Sequence, residues 1–99
     1  MNILLKNIDL INNLCDENQV KKLFAFGSVT TDKFHDQSDI DFIVEIDDQD
    51  PISYTDKYFN LKFRLEQILH RQIDLLEEKA IRNRFLKDEL DRTKVLVYG

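Results

Sequence analysis

A chain of 99 residues has the size of one domain, and 42% apolar with 33% charged residues suits a water-soluble fold around a single core. The net charge of −5 argues against non-specific attraction to a nucleic-acid backbone, which wants a basic surface, and no apolar run approaches the ~20 residues that span a bilayer. One cysteine, Cys15, offers no internal disulfide, and residues 1–15 lack the basic start and unbroken apolar stretch of a signal peptide, so the expected setting is the reducing cytoplasm.

In chain order, residues 2–15 (NILLKNIDLINNLC) carry Leu4, Ile8, Ile11 and Cys15 at helical spacing. The polar tract Asp16-Glu17-Asn18 ends that pattern. Residues 20–26 (VKKLFAF) read as a short strand running into Gly27-Ser28, with a short helix or loop after it. Residues 39–46 (DIDFIVEI) alternate. Ile40, Phe42, Val44 and Ile46 point one way; Asp39, Asp41, Ile43 and Glu45 point the other. The tract DDQDP is a turn in which Asp50 caps a helix and Pro51 occupies its first turn. Tyr54, Tyr58, Leu61, Leu65 and Ile68 then form one stripe of a long helix. Residues 72–77 read as a third strand. Residues 79–92 read as a helix using Ile81, Phe85 and Leu90, and VLVYG as a last strand. The expected architecture is α/β, of the α+β kind: a single domain over 1–99 with a small mixed sheet of three to four strands and helices packed against it.

Asp39 and Asp41, two apart on a strand, project from one face and can share hard cations through oxygen. Asp74 lies in the next predicted strand after one helical crossover, a connection that favours parallel neighbours. It is the candidate third ligand. Gly27 permits close backbone approach, and the N–H groups and hydroxyl of Gly27-Ser28 can hold phosphate oxygens if a helix starts there. Three carboxylates, two metal ions and a phosphate cradle would form a phosphoryl or nucleotidyl transfer site. Any one of these residues alone reads as a turn or cap; the ordered set carries the inference.

The stretch GSVTTDKFHDQSDIDFIVEI resembles the signature of the DNA polymerase beta-like nucleotidyltransferase superfamily: Gly-Ser, ten residues, then Asp-x-Asp across a strand, turn and strand. In size and spacing the chain is similar to the minimal nucleotidyltransferases, the MNT domains, over nearly its whole length through IDLLEE and VLVYG. The resemblance implies a nucleotidyltransferase fold and a site in which Gly27 and Ser28 hold a nucleoside triphosphate. Asp39, Asp41 and Asp74 would be the catalytic, metal-binding residues for two Mg2+ ions, with Asp74 also helping to deprotonate the attacking hydroxyl. ATP would be the substrate, and the partner a HEPN-domain ribonuclease toxin encoded alongside, AMPylated on a tyrosine by its MNT antitoxin. No direct nucleic-acid or membrane partner is implied, and self-association stays open.

The chain departs from the family where many MNT domains have Ala-Arg-Gly after the Gly-Ser. Here stand Thr30, Thr31 and Asp32, with Lys33 the nearest cation. That departure motivates a second reading, a binding-type antitoxin with weak catalysis. A third, a small-molecule nucleotidyltransferase, would need an added acceptor domain for which the chain has no room. His35 reads as a solvated loop residue and His70 as a helix-end cation. Neither has the neighbours a zinc site requires. Cys15, Phe24 and Phe26 read as core. Arg82, Arg84 and Lys87 read as a solvated helix face, and Tyr54 and Tyr58 as buried stripe or partner surface.

Overall fold

The computed structural model describes residues 1–99. Two short helices, α1 (Asn2–Lys6) and α2 (Ile8–Glu17), lead into β1 (Val20–Phe26). A 3-10 turn at Gly27–Thr30 and a loop precede β2 (Ile40–Ile46). Then follow α3 (Pro51–Leu69), β3 (Ile73–Glu77), a second 3-10 turn (Glu78–Ala80), α4 (Arg84–Thr93) and β4 (Val95–Tyr98). No helix is long and apolar enough to cross a membrane.

The four strands form one mixed sheet in the order β3-β2-β1-β4. β1 is antiparallel to both β2 and β4, while β2 and β3 are parallel, joined by the α3 crossover. The alternation of β2 sorts its side chains as expected. Phe42, Val44 and Ile46 pack into the main core with Leu23 and Ala25 of β1, Ile73 and Leu75 of β3, Ile11, Leu14 and Cys15 of α2, and Leu61, Leu65 and Leu69 of α3. At about 25 cal/mol per Å2 of apolar surface removed from water, this single cluster supplies most of the drive to fold. Ile43, on the other face of β2, is also buried but lies outside that cluster, as does Leu90 of α4.

Several boundaries differ from the pattern, four of them with a visible cause. The first predicted helix is two, because Asn7 turns its side chain back to donate to the Ile3 carbonyl at 2.8 Å and leaves helical geometry (φ −114°, ψ 16°). The second piece runs on to Glu17, and buried Asn18 closes it by donating to the Leu14 carbonyl at 2.9 Å. β2 begins at Ile40, whose N–H donates to the Gln72 carbonyl at 3.0 Å, so Asp39 stands in the preceding loop rather than on the strand. The last helix begins at Arg84 rather than 79. Asn83 Oδ1 accepts from the N–H groups of Phe85 and Leu86 and so sets its first turn. Phe85 is consequently 86% exposed, and Leu90 alone of the expected stripe Ile81, Phe85, Leu90 is buried.

The start of α3 is braced. Asp48 accepts from Lys57 and Ser53, and the bond from Lys57, followed by that from Ser53, holds its carboxyl down to about 2. Tyr54 and Tyr58 are half-buried rather than core. Their hydroxyls donate to Glu77 Oε2 at 2.7 Å and to the Leu75 carbonyl at 2.6 Å, tying α3 to β3.

Candidate active site

β1 ends with Phe26 extended, and the chain then turns at Gly27, whose φ is +73°. That left-handed conformation suits glycine. So does the space: a Cβ at Gly27 would stand 2.6 Å from Asp41 Oδ2. The glycine lets the backbone pass close against the Asp41 carboxylate. The following 3-10 turn is closed by Thr30 Oγ1 donating to the Gly27 carbonyl at 2.8 Å and Thr31 Oγ1 donating to the Ser28 carbonyl at 2.9 Å. Buried Val29 seats the turn on the core, and the N-terminal ammonium of Met1 donates to its carbonyl at 2.8 Å. The threonines at the Ala-Arg-Gly positions thus serve the turn itself. Ser28 is half-buried.

Asp41 is the second residue of β2. Across the sheet it pairs with Phe26 on one side and with Asp74 on the other. Residues paired directly on neighbouring strands face the same side, so Asp41 and Asp74 rise side by side beside the Gly27 turn. Burial, then the charge of Asp74, then that of Asp39, raise the Asp41 carboxyl above its ordinary range. Asp39, although off the strand, therefore remains close enough to be felt. No ion pair of the chain reaches these three aspartates.

All three are oxygen donors of the kind hard divalent cations take, and their mutual repulsion is what a cation would relieve. In the chain alone they stand apart: no three acidic, histidine or cysteine side chains are drawn close enough to hold a metal ion as they are. The donor chemistry fits magnesium; the closed cage is not formed by the protein alone.

One residue that sequence reasoning passed over helps position this site. Arg71 Nη1 donates to the carbonyls of His35 and Ser38, each at 2.9 Å, and the guanidinium stacks 4.7 Å from the Phe34 ring. It fastens to β3 the loop that carries Asp39. Nothing in the local pattern marks it, because its partners are backbone carbonyls more than thirty residues earlier. His35 is exposed, and its Nδ1 accepts from the Gln37 N–H at 3.1 Å, a loop role as expected. His70 is the left-handed residue (φ 54°) that ends α3. Cys15 is buried, and burial pushes its thiol up to about 12, which leaves it inert at neutral pH.

The largest cavity, about 610 Å3, lies at the opposite ends of β2 and β3, among Ile46, Asp48, Tyr54, Glu77 and Lys79. Several of its polar side chains are already engaged: Asp48 with Lys57, Tyr54 with Glu77, and Lys79 over the Tyr54 ring at 3.7 Å. The aspartate site has no such internal pairing, so its charges remain free for a ligand.

Residues 9–99 match the family described as Polymerase beta, Nucleotidyltransferase. A Methanocaldococcus jannaschii protein, named by inference a protein adenylyltransferase, is 33% identical over 84 residues, covering 85% of this chain and 83% of that protein. Among solved structures, a protein assigned by inference as a minimal nucleotidyltransferase superposes with a TM-score of 0.76 at 22% identity, covering 93% of this chain and 90% of the other. An MNT antitoxin solved in complex with a tri-AMPylated HEPN toxin from Shewanella oneidensis gives a TM-score of 0.65 at 21% identity, covering 96% of this chain and 71% of the other. At these identities the structural likeness speaks for the fold, whereas the sequence match takes in both aspartate-bearing strands. On that match the chain belongs to the polymerase beta nucleotidyltransferase family and is a nucleotidyltransferase.

Proposed function

We propose that this chain transfers AMP from ATP to a tyrosine hydroxyl of a HEPN-type ribonuclease toxin and is that toxin's cytoplasmic antitoxin. The observation that carries the chemistry is the pairing of Asp41 with Asp74 across parallel strands, beside a Gly27 turn whose lack of a side chain lets the backbone pass against the Asp41 carboxylate. The names of the relatives, a protein adenylyltransferase and an antitoxin bound to an AMPylated toxin, support the acceptor class.

In this reading Gly27 and Ser28 hold the triphosphate by backbone N–H groups and hydroxyl. Asp39, Asp41 and Asp74 would hold two Mg2+ ions, which when bound supply charge neutralisation at the attacking and leaving oxygens. Asp74, exposed at the sheet edge strand, takes the proton from the acceptor hydroxyl. The hydroxyl oxygen forms a bond to the α-phosphorus, the α–β phosphoanhydride bond breaks, and pyrophosphate leaves with the electron pair. The acidic surface, net charge −5, complements a basic RNA-cutting partner.

A second reading has its own observation. The turn that should face the triphosphate spends its two threonine hydroxyls on its own carbonyls and presents no arginine. A chain that masks its toxin by binding, with weak transfer, would show this.

The test uses α-phosphate-labelled ATP, magnesium and a lysate of the source cell, with wild type and Asp39→Asn side by side. Asp39 is exposed and off the strand, so the variant keeps its fold. We expect label on a single HEPN-sized protein, on tyrosine, with wild type only. Label on a small molecule would move the acceptor to the small-molecule class. Equal labelling by Asp39→Asn would remove the aspartates from the reaction, and no labelling by either, with the chain still capturing its toxin, would select the binding reading.

A further inference from the structure

The transfer reading leaves one need unmet on the chain before the aspartates: a cation for the triphosphate. The 3-10 turn offers none, and Lys33 is exposed in the loop beyond it. The tertiary structure brings one from the far end of the chain. In the antiparallel pair of β1 and β4, Phe24 is opposite Leu96 and Ala25 opposite Val95. Lys94 stands just before Val95 and caps the end of α4, its N–H donating to the Leu90 carbonyl at 2.8 Å. Phe26 is opposite Asp41, and Asp41 opposite Asp74. Phe26, Asp41 and Asp74 therefore form one row across the sheet, and Lys94 adjoins it at the start of β4, where Val95 is opposite Ala25.

The side chain of Lys94 lies on the site face. Its Nζ stands 4.2 Å from the centroid of the Phe24 ring. Phe24 and Phe26 are two apart on β1 and so share a face, and Phe26 shares that face with Asp41 through their direct pairing. The Phe24 ring under the ammonium lies one strand across and two residues along from Asp41, which at the usual strand dimensions sets the ammonium on the order of 10 Å from Asp41, with the Gly27 turn following directly after Phe26. The Lys94 side chain is only 18% exposed and its ammonium donates to Asp91 Oδ1 at 2.8 Å, while the Asp91 side chain is 43% exposed. Ion pairs with an exposed partner are weak, and a triphosphate carries several times the charge of one carboxylate.

We propose that Lys94 binds the β- and γ-phosphates of the nucleotide, in place of the basic residue the turn lacks, and that Asp91 holds it ready between turnovers. This deepens the transfer reading and rests on it for the identity of the ligand.

The test measures equilibrium binding of ATP and of AMP, with magnesium, to the full chain by calorimetry. Lys94→Met should weaken ATP binding about tenfold while changing AMP binding by less than about twofold, because only ATP carries the distal phosphates. Lys94→Arg should restore most of the loss. Asp91→Asn, which frees the ammonium, should tighten ATP binding about twofold. A structural role for Lys94 would weaken ATP and AMP alike and would weaken Asp91→Asn as well; either result overturns the proposal. If Lys94→Met fails to fold, Asp91→Asn decides: unchanged or weaker ATP binding defeats it. Wild type that binds ATP with unchanged affinity in Lys94→Met removes Lys94 and leaves the transfer reading standing. The expected Lys94 pattern in a chain that labels no acceptor removes transfer and keeps the phosphate site. Wild type that binds no ATP removes both.

Discussion

Asp41 carries the tension of this molecule. Its carboxylate is half-buried, flanked by Asp74 and Asp39, and pressed against the Gly27 backbone. The folded protein therefore holds the Asp41 proton more tightly than the unfolded chain does. Below the unfolded value of 3.8 both states are protonated and nothing is lost. As pH rises through the raised folded value, ionisation costs the folded state more than the unfolded one, and the penalty is complete at neutral pH. Asp41→Asn should accordingly raise the thermal midpoint of the metal-free chain at pH 7 by on the order of a few °C, with the gain shrinking as pH falls toward 4. Thermal unfolding at both pH values checks this; a gain of the same size at both would show that the carboxylate is not strained by charge. A site residue that destabilises its own fold is what a cation-binding role would leave behind. The Asp-x-Asp spacing was readable in the chain, but the place of Asp39 was not. It depends on Arg71 gripping the His35 and Ser38 carbonyls, a contact between distant segments that no local period records.

At the scale of elements, α3 is the strut. It spans 19 residues, buries Leu61, Leu65 and Leu69 against the sheet, and carries the crossover that makes β2 and β3 parallel. Leu65 is fully buried. Leu65→Ala should cost about 2–5 kcal/mol, read as a lower urea midpoint, and a loss under about 1 kcal/mol would mean that the core closes around the gap. The long periodic stripe of α3 was legible because burial on one face imposes the 3.6-residue period. The tyrosines at its start followed the period without following the burial. Their hydroxyls need partners, so Tyr54 and Tyr58 sit at the rim where Glu77 and the Leu75 carbonyl accept from them. The first helix shows the opposite limit: a good apolar period broken by one asparagine side chain competing for a backbone carbonyl.

Over the whole molecule, stability is uneven. β1 and β2 lie at the centre of the sheet with helices on the core face, whereas α4 buries Leu90 alone and leaves Phe85 and Leu86 in water. Its remaining ties are exposed pairs such as Lys87 with Glu78 at 3.1 Å, which contribute little. Amide hydrogens of α4 should exchange about tenfold or more faster than those of β1 and β2; equal protection would mean that α4 unfolds only with the core. The chain pattern alone marked the kind of fold, the order of its strands along the chain and the three candidate aspartates, because alternation, turn residues and motif spacing are local properties. The tertiary structure decided the rest. Sheet order and register set Asp74 against Asp41, the end of α4 laid Lys94 over Phe24 on the same face, and a left-handed glycine fitted itself to the Asp41 carboxylate. Those outcomes depend on which strands pair and in which register, and pairing between segments far apart in the chain is chosen by the shared core rather than by any neighbour in sequence.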